Sequence, residues 1–221
     1  MDTALVLNFL SKLKMNNNRE WFLENKQWYE ASKQEVENFV SDIIATISAI
    51  DPAIQTPPMK DCMFRIFRDV RFGADKSPYK TNFGAFIAQG GRKSGLPGYY
   101  FHFEPGESML AGGVYQPQPD ILKLLRSEVY YHSEELKEIL GNPPFRKYFG
   151  HLGDFDKMKK APKDFPADFP DIDLLKYRSY IVSQTIPDKI VTSDNYQIQI
   201  LEMVKELQPF MSFLNRAINN G

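Results

Sequence analysis

Between Lys60 and Lys80 the chain sets six cations (Lys60, Arg65, Arg68, Arg71, Lys76 and Lys80) against three aspartates (Asp61, Asp69 and Asp75). The whole chain carries a net charge of −1. This one segment is therefore positive by three while everything else is negative by four. A guanidinium keeps its charge at any physiological pH and presents a rigid fork of donors that fits a carboxylate or phosphate at two points. Three aspartates cannot neutralise six cations, so the segment points to a pocket for an anionic group. Its binding set would be Arg65, Arg68, Asp69, Arg71, Asp75, Lys76 and Lys80, with at least two of the arginines entering one concavity beside Lys76 or Lys80. The competing account is an internal Arg–Asp network that pins a loop to a sheet. In strand register Phe64, Ile66, Arg68, Val70 and Phe72 share one face, and Arg65, Phe67, Asp69 and Arg71 share the other. Neither face is cleanly apolar, so at least one arginine must lie against the core or a cleft, where a guanidinium needs a partner. For Arg68 the two candidates are an internal carboxylate such as Glu104, with Asp69 and Asp75 near in sequence, and an anion supplied from outside.

A second constellation lies on residues 99–104. As a strand, it puts Tyr99, Phe101 and Phe103 on one side and Tyr100, His102 and Glu104 on the other. The first set reads as core and the second as a titratable face. His102 and Glu104, two apart, have the spacing of an acid–base pair or of two metal ligands, or of a hydrogen-bonded structural pair. Tyr79, carried on the loop 75–80, joins them as a group available for proton transfer, so Tyr79, His102 and Glu104 are the catalytic candidates. His132 and His151 fall on helical or loop surface. Cys62 is the single cysteine, which removes any internal disulfide and any cysteine-based zinc set; it reads as a small buried side chain. No His-x-x-x-His or Cys-x-x-Cys occurs, no metal site is assigned and the cofactor is left open. Gly90-Gly91-Arg92-Lys93-Ser94 resembles a phosphate loop, but that motif needs glycine directly before the lysine and Arg92 stands there. It reads as a mobile hairpin tip. The lysines of 157–163 read as a solvated face.

The elements that must position these groups follow from hydrophobic periodicity. Leu5, Val6, Phe9, Leu10 and Leu13 recur at helical spacing after a cap at Asp2 or Thr3. Asn17 with Glu20 has the form of a capping box for a second, long helix. Its stripe runs through Trp21, Asn25, Trp28, Ser32, Val36, Phe39, Ile43, Ile47 and Ile50 to a stop at Asp51-Pro52. Residues 63–72, 83–88, 99–104 and 109–115 are short, aromatic-rich and parted by glycine or proline, as strands are. Glu104-Pro105-Gly106-Glu107 reads as a reversal. After Pro119 helices return, residues 180–186 are β-like, and Ile200, Val204, Leu207, Met211, Leu214 and Ile218 form the face of a last helix. The expected fold class is α+β: an antiparallel meander of about four strands, packed by the long N-terminal helix and C-terminal helices. One domain is expected over 1–221, helical in 1–52, β-rich in 60–116, and helical with one late strand in 117–221. At 221 residues, 43% hydrophobic and 25% charged, the chain has the composition of an ordinary globular protein. Residues 1–10 lack a basic leader and a cleavage site, and no run approaches the roughly 18 apolar residues of a membrane span. A cytoplasmic protein without a membrane partner is expected.

The pattern Arg65-x-x-Arg68-Asp69-x-Arg71-Phe72 followed by Asp75-Lys76-x-Pro78-Tyr79-Lys80-Thr81 resembles the signature of the bacterial conserved hypothetical proteins grouped as domain of unknown function 2461. Asn18-Arg19-Glu20-Trp21-Phe22, Gly98-Tyr99-Tyr100, Glu104-Pro105-Gly106, Gly112-Gly113 and Ala161-Pro162-Lys163 are similar to that family as well. The resemblance runs nearly end to end and implies a lineage rather than a reaction. The anionic small molecule is thus the first functional expectation. A nucleic-acid-binding module comes second, disfavoured by the net negative charge. A non-catalytic interaction protein, with the Arg/Asp motif as architecture, is the third.

Overall fold

The computed structural model describes residues 1–71 and 74–219. In chain order the helices α1 (Thr3–Met15), α2 (Arg19–Glu24), α3 (Lys26–Ile50) and the short α4 (Met59–Cys62) lead into strands β1 (Phe83–Ala88), β2 (Gly98–Phe103) and β3 (Met109–Val114). Helices α5 (Pro119–Tyr131), α6 (Ser133–Gly141) and α7 (Pro143–Phe149) follow, then β4 (Tyr180–Thr185), α8 (Asp188–Val191) and α9 (Tyr196–Asn219). Among the described residues the strands form one antiparallel sheet in the order β1-β2-β3-β4. The fold is α+β, as the periodicity predicts. No described helix is long and apolar enough to cross a membrane.

The N-terminal helices depart from the sequence reading in two places. Asn18, not Asn17, caps α2, its side chain accepting from the Trp21 N–H at 2.9 Å. The expected long helix is also broken at Asn25, whose side-chain amide donates to the Trp21 carbonyl at 2.9 Å. An asparagine that bonds its own backbone competes with the helical ladder, so α2 stops and α3 starts there. The apolar stripe survives the break: Val36, Phe39, Ile43 and Ile47 are all buried. Phe39 sets its ring edge-on to Phe101 and Phe103, at 5.3 Å from the latter. Trp28 turns instead to Phe9 of α1, 5.8 Å away. At the far end of α3 the buried carboxyl of Asp51 accepts from the Tyr99 hydroxyl at 3.0 Å, fastening the helix to β2. From the other side α9 lies directly on β3, so close that a Cβ at Gly112 would collide with Leu207.

Residues 63–71 do not form a strand. Two isolated bridges, Met63 to Ala85 and Phe67 to Tyr79, hold an irregular arch over the edge of β1. The Arg68 N–H donates to the Pro78 carbonyl at 3.0 Å, but proline has no N–H to return, so the ladder cannot extend. Ile66 alone is fully buried among residues 64–71, and Phe72, expected to end that strand, lies outside the described residues. The fourth strand of the sheet is the late segment, β4. Where the meander turns after β2, the Glu107 N–H donates to the Glu104 carbonyl at 3.0 Å and Gly106 takes φ of 81°. That is the positive value a proline–glycine turn requires.

Replacing Ile43, 4% exposed, by alanine should lower the unfolding free energy by about 2–5 kcal/mol, the cost of a large-to-small change in a packed core. Urea denaturation measures it. A loss below about 0.5 kcal/mol would mean that α3 turns a different face to the sheet.

Candidate functional site

The outward side of β2 holds a continuous hydrogen-bonded chain. The Tyr100 hydroxyl lies 2.7 Å from His102 Nδ1, and His102 Nε2 lies 2.9 Å from Glu104 Oε2. The Thr81 hydroxyl donates to Glu104 Oε1 at 2.6 Å. The side chains of His102 and Glu104 are only 11% and 13% exposed. Burial by itself would raise the Glu104 pKa. Thr81 and His102, followed by Lys14, outweigh it and hold the carboxyl below its ordinary value. An ionised carboxylate can only accept, so in a neutral imidazole Nε2 carries the proton and Nδ1 accepts from Tyr100; the tautomer is assigned from this network. Burial first, and the charge of Glu104 second, push Tyr100 up to about 12, so its resting form is the phenol. The arrangement can pass a proton between Tyr100 and His102, with Glu104 stabilising the imidazolium. Gly84 stands opposite His102 on β1, and a Cβ there would lie 3.0 Å from the Tyr100 oxygen. Its bare backbone leaves the room the hydroxyl occupies.

Thr81 is also part of a concavity of about 380 Å³, bordered by Lys14, Asn17, Arg68, Asp75 and Lys80. Asn17 builds its base. The side-chain amide donates to the Tyr79 carbonyl at 2.9 Å and accepts from the Tyr79 N–H at 3.1 Å, copying a strand's pairing across 62 residues. Arg68 pairs with Asp75, not with Glu104, which is already engaged. Ser77, through its hydroxyl and its backbone N–H, and then Arg68 hold the Asp75 carboxyl well below the usual range. Lys80 is half-buried, its ammonium 5.4 Å from the centre of the Phe64 ring. Its pKa is lowered, first by burial and then by the charges of Arg65 and Arg68.

The predicted binding set is thus divided. Arg68, Asp75 and Lys80 come together in the concavity. Arg65 is exposed and acts on Lys80 through its field alone. Arg71 grips Asp69 at two points, 2.9 and 2.7 Å, and Lys76 donates to the Val70 carbonyl at 2.9 Å. Only one of the three arginines enters the cleft, rather than two. Of the catalytic candidates, His102 and Glu104 form the chain above. Tyr79 is a buried ring stacked on Phe22 at 3.9 Å, and among the described residues no hydrogen bond links it to His102. Lys14, Asn17, Thr81 and Tyr100 are the residues that the sequence-derived set lacks. Tyr100 was legible as a neighbour of His102 on one strand face; Lys14 carries no signal of a site and Asn17 reads only as a helix cap, since they arrive from the end of α1 and the turn after it. Cys62 is buried and its thiol pushed up to about 11, chiefly by that burial. The glycine-rich connection after β1 is docked on α4: the Arg92 N–H donates to the Asp61 carbonyl at 3.0 Å. Among the described residues no group of three or more His, Cys, Asp or Glu is placed to hold a metal ion.

Because the folded pKa of Glu104 lies below its ordinary value of 4.5, the group stabilises the fold above that pH, and the contribution fades as pH falls through the lower, folded value. Urea melts of wild type and Glu104→Gln between pH 3 and 7 should therefore differ most at neutral pH and converge in acid. A gap that stays constant or widens on acidification would contradict an ionised Glu104 in the network.

No curated protein and no solved structure matches the chain at a significant level. Residues 5–213 do match the family model described as conserved hypothetical protein (DUF2461), and the chain belongs to that family.

Proposed function

We propose that the chain binds a phosphate- or carboxylate-bearing small molecule in the cleft between Lys14, Arg68 and Lys80. The observation that carries this reading is the charge left over there: among the described residues three cations border the cleft and Asp75 is the one carboxylate. Lys80 bears the strain of that imbalance, its pKa lowered by burial and then by Arg65 and Arg68. A bound anion would relieve the repulsion and favour the charged ammonium. The exposed pairing of Asp75, 57% accessible, leaves it free to yield Arg68 to a ligand at little cost. Thr81 joins this cleft to Glu104, which makes Glu104 and His102 the groups at hand for proton transfer to a bound molecule. The architectural reading keeps part of the motif. The Asp69–Arg71 clasp and the Lys76–Val70 bond shape the arch and are not counted as ligand contacts.

Phosphate, or a small dicarboxylate, should raise the melting temperature of wild type in a saturable way, since a ligand at about 100 times its Kd adds roughly 2.7 kcal/mol of stability. Lys80→Met should fold and lose that response. Retention of the full anion response by Lys80→Met, or no response in wild type, would leave the cleft without its proposed ligand. Nucleic acid should bind weakly and without sequence preference. Sub-micromolar affinity at physiological salt with a steep salt slope, read by fluorescence anisotropy, would favour a nucleic-acid module instead.

A further inference from the structure

A second and larger concavity, about 470 Å³, lies over the outward face of the sheet. Its volume is within the roughly 300–1,000 Å³ typical of small-molecule sites. Phe86, Tyr100, Ile181 and Phe155 wall it, and among the described residues Arg92 is its one charged lining residue. The floor is bare because Gly98 and Gly113 face each other across β2 and β3, with Ala111 beside them. Neither glycine is replaceable. A Cβ at Gly98 would come within 2.6 Å of the Ile87 carbonyl. Gly113 holds φ at 127°, and a Cβ there would run into the Tyr180 carbonyl. At the rim, Phe155 stacks on Tyr115 at 5.9 Å, and both rings stand about 60% exposed, at 60% and 62%.

We propose that this cleft binds a small carboxylic acid with a planar aromatic body, its carboxylate on Arg92. The site is distinct from the cationic cleft and does not depend on it. Aromatic walls favour a ring as the occupant, through edge-on and offset contacts. Arg92 supplies the charge complement. Its backbone N–H is fixed to the Asp61 carbonyl and its Nη1 donates to the Lys60 carbonyl, each at 3.0 Å. The guanidinium is thereby held at the Phe64 ring, 6.0 Å from its centre. Those bonds use one of five side-chain donors, and among the described residues no carboxylate pairs with Arg92. A planar, singly charged carboxylate matches one guanidinium; a doubly charged phosphate would bring an unmet charge into an apolar cleft.

Isothermal titration with 2-naphthoate, its neutral isostere 2-naphthamide and decanoate tests this. Wild type should bind naphthoate at least about ten-fold more tightly than the amide or decanoate. The preference over the amide should disappear in Arg92→Gln. Ser183 is an exposed lining residue, so Ser183→Trp should fill the cleft without unfolding the sheet. It should abolish naphthoate binding while leaving any phosphate response in place, and Lys80→Met should leave naphthoate binding unchanged. Equal affinity for acid and amide overturns the role of Arg92, and equal affinity for decanoate overturns the aromatic assignment. Absence of naphthoate binding to wild type, or naphthoate binding in Ser183→Trp, overturns the site itself. The ligand comparison on wild type decides the matter even if a variant fails to fold.

Discussion

The register of β2 is the constraint on which the rest depends. It is a central strand, paired on both sides, and side chains alternate across it with a period of two. Tyr99, Phe101 and Phe103 are locked into the core by α3, with Phe39 edge-on to two of them and Asp51 bonded to the third. Tyr100, His102 and Glu104 must then face outward. A slip of one residue would put a histidine and a glutamate into the core and three rings into water. The hydrophobic packing of one face therefore positions the hydrogen-bonded chain on the other.

The arch over β1 works differently. It owes its shape to polar contacts that a ladder would not tolerate: Asp69 clasping Arg71, Asp75 clasping Arg68, and Lys76 on a backbone carbonyl. Such exposed pairs contribute little stability each. What secures the arch is the Asn17 amide on both polar groups of the Tyr79 backbone, together with Tyr79 and Phe67 packed on Phe22. Local charge pairing sets the curvature and long-range packing sets the position. Lys80, at the junction of the two, ends close to Arg68 and to the end of α1, where positive charge accumulates.

The two clefts on this side of the sheet have opposite chemistry for a simple reason. One is bordered by loop and helix-end residues, which are polar because they face water. The other lies over strand residues whose outward positions are mostly glycine, alanine, aliphatic or aromatic. Between them runs the chain from Thr81 through Glu104 and His102 to Tyr100, whose ends border the cationic and the apolar cleft respectively. Burial pushes its phenol up and hydrogen bonding holds its carboxyl down, so near neutral pH Tyr100 is a phenol and Glu104 a carboxylate.

Periodicity and punctuation determined most of the framework by themselves. The stripe of α3, the stop at Asp51-Pro52, three of the four strands of the meander and the turn at Pro105-Gly106 are local signals, each written within the element that carries it. The alternation of Tyr99 to Glu104 likewise marked His102 and Glu104 as neighbours on one face. Tertiary structure decided what local pattern could not encode. Residues 63–72 alternate like a strand, yet Pro78 lacks the N–H their partner would need, and that pairing is fixed only when the chain folds back. The break at Asn25 hinges on one amide choosing a carbonyl over water. Lys14, Asn17 and Arg92 gain their positions from contacts tens of residues away, where sequence spacing carries no distance information. Charge counting found the positive segment; only the folded chain decided which of its cations share a cleft.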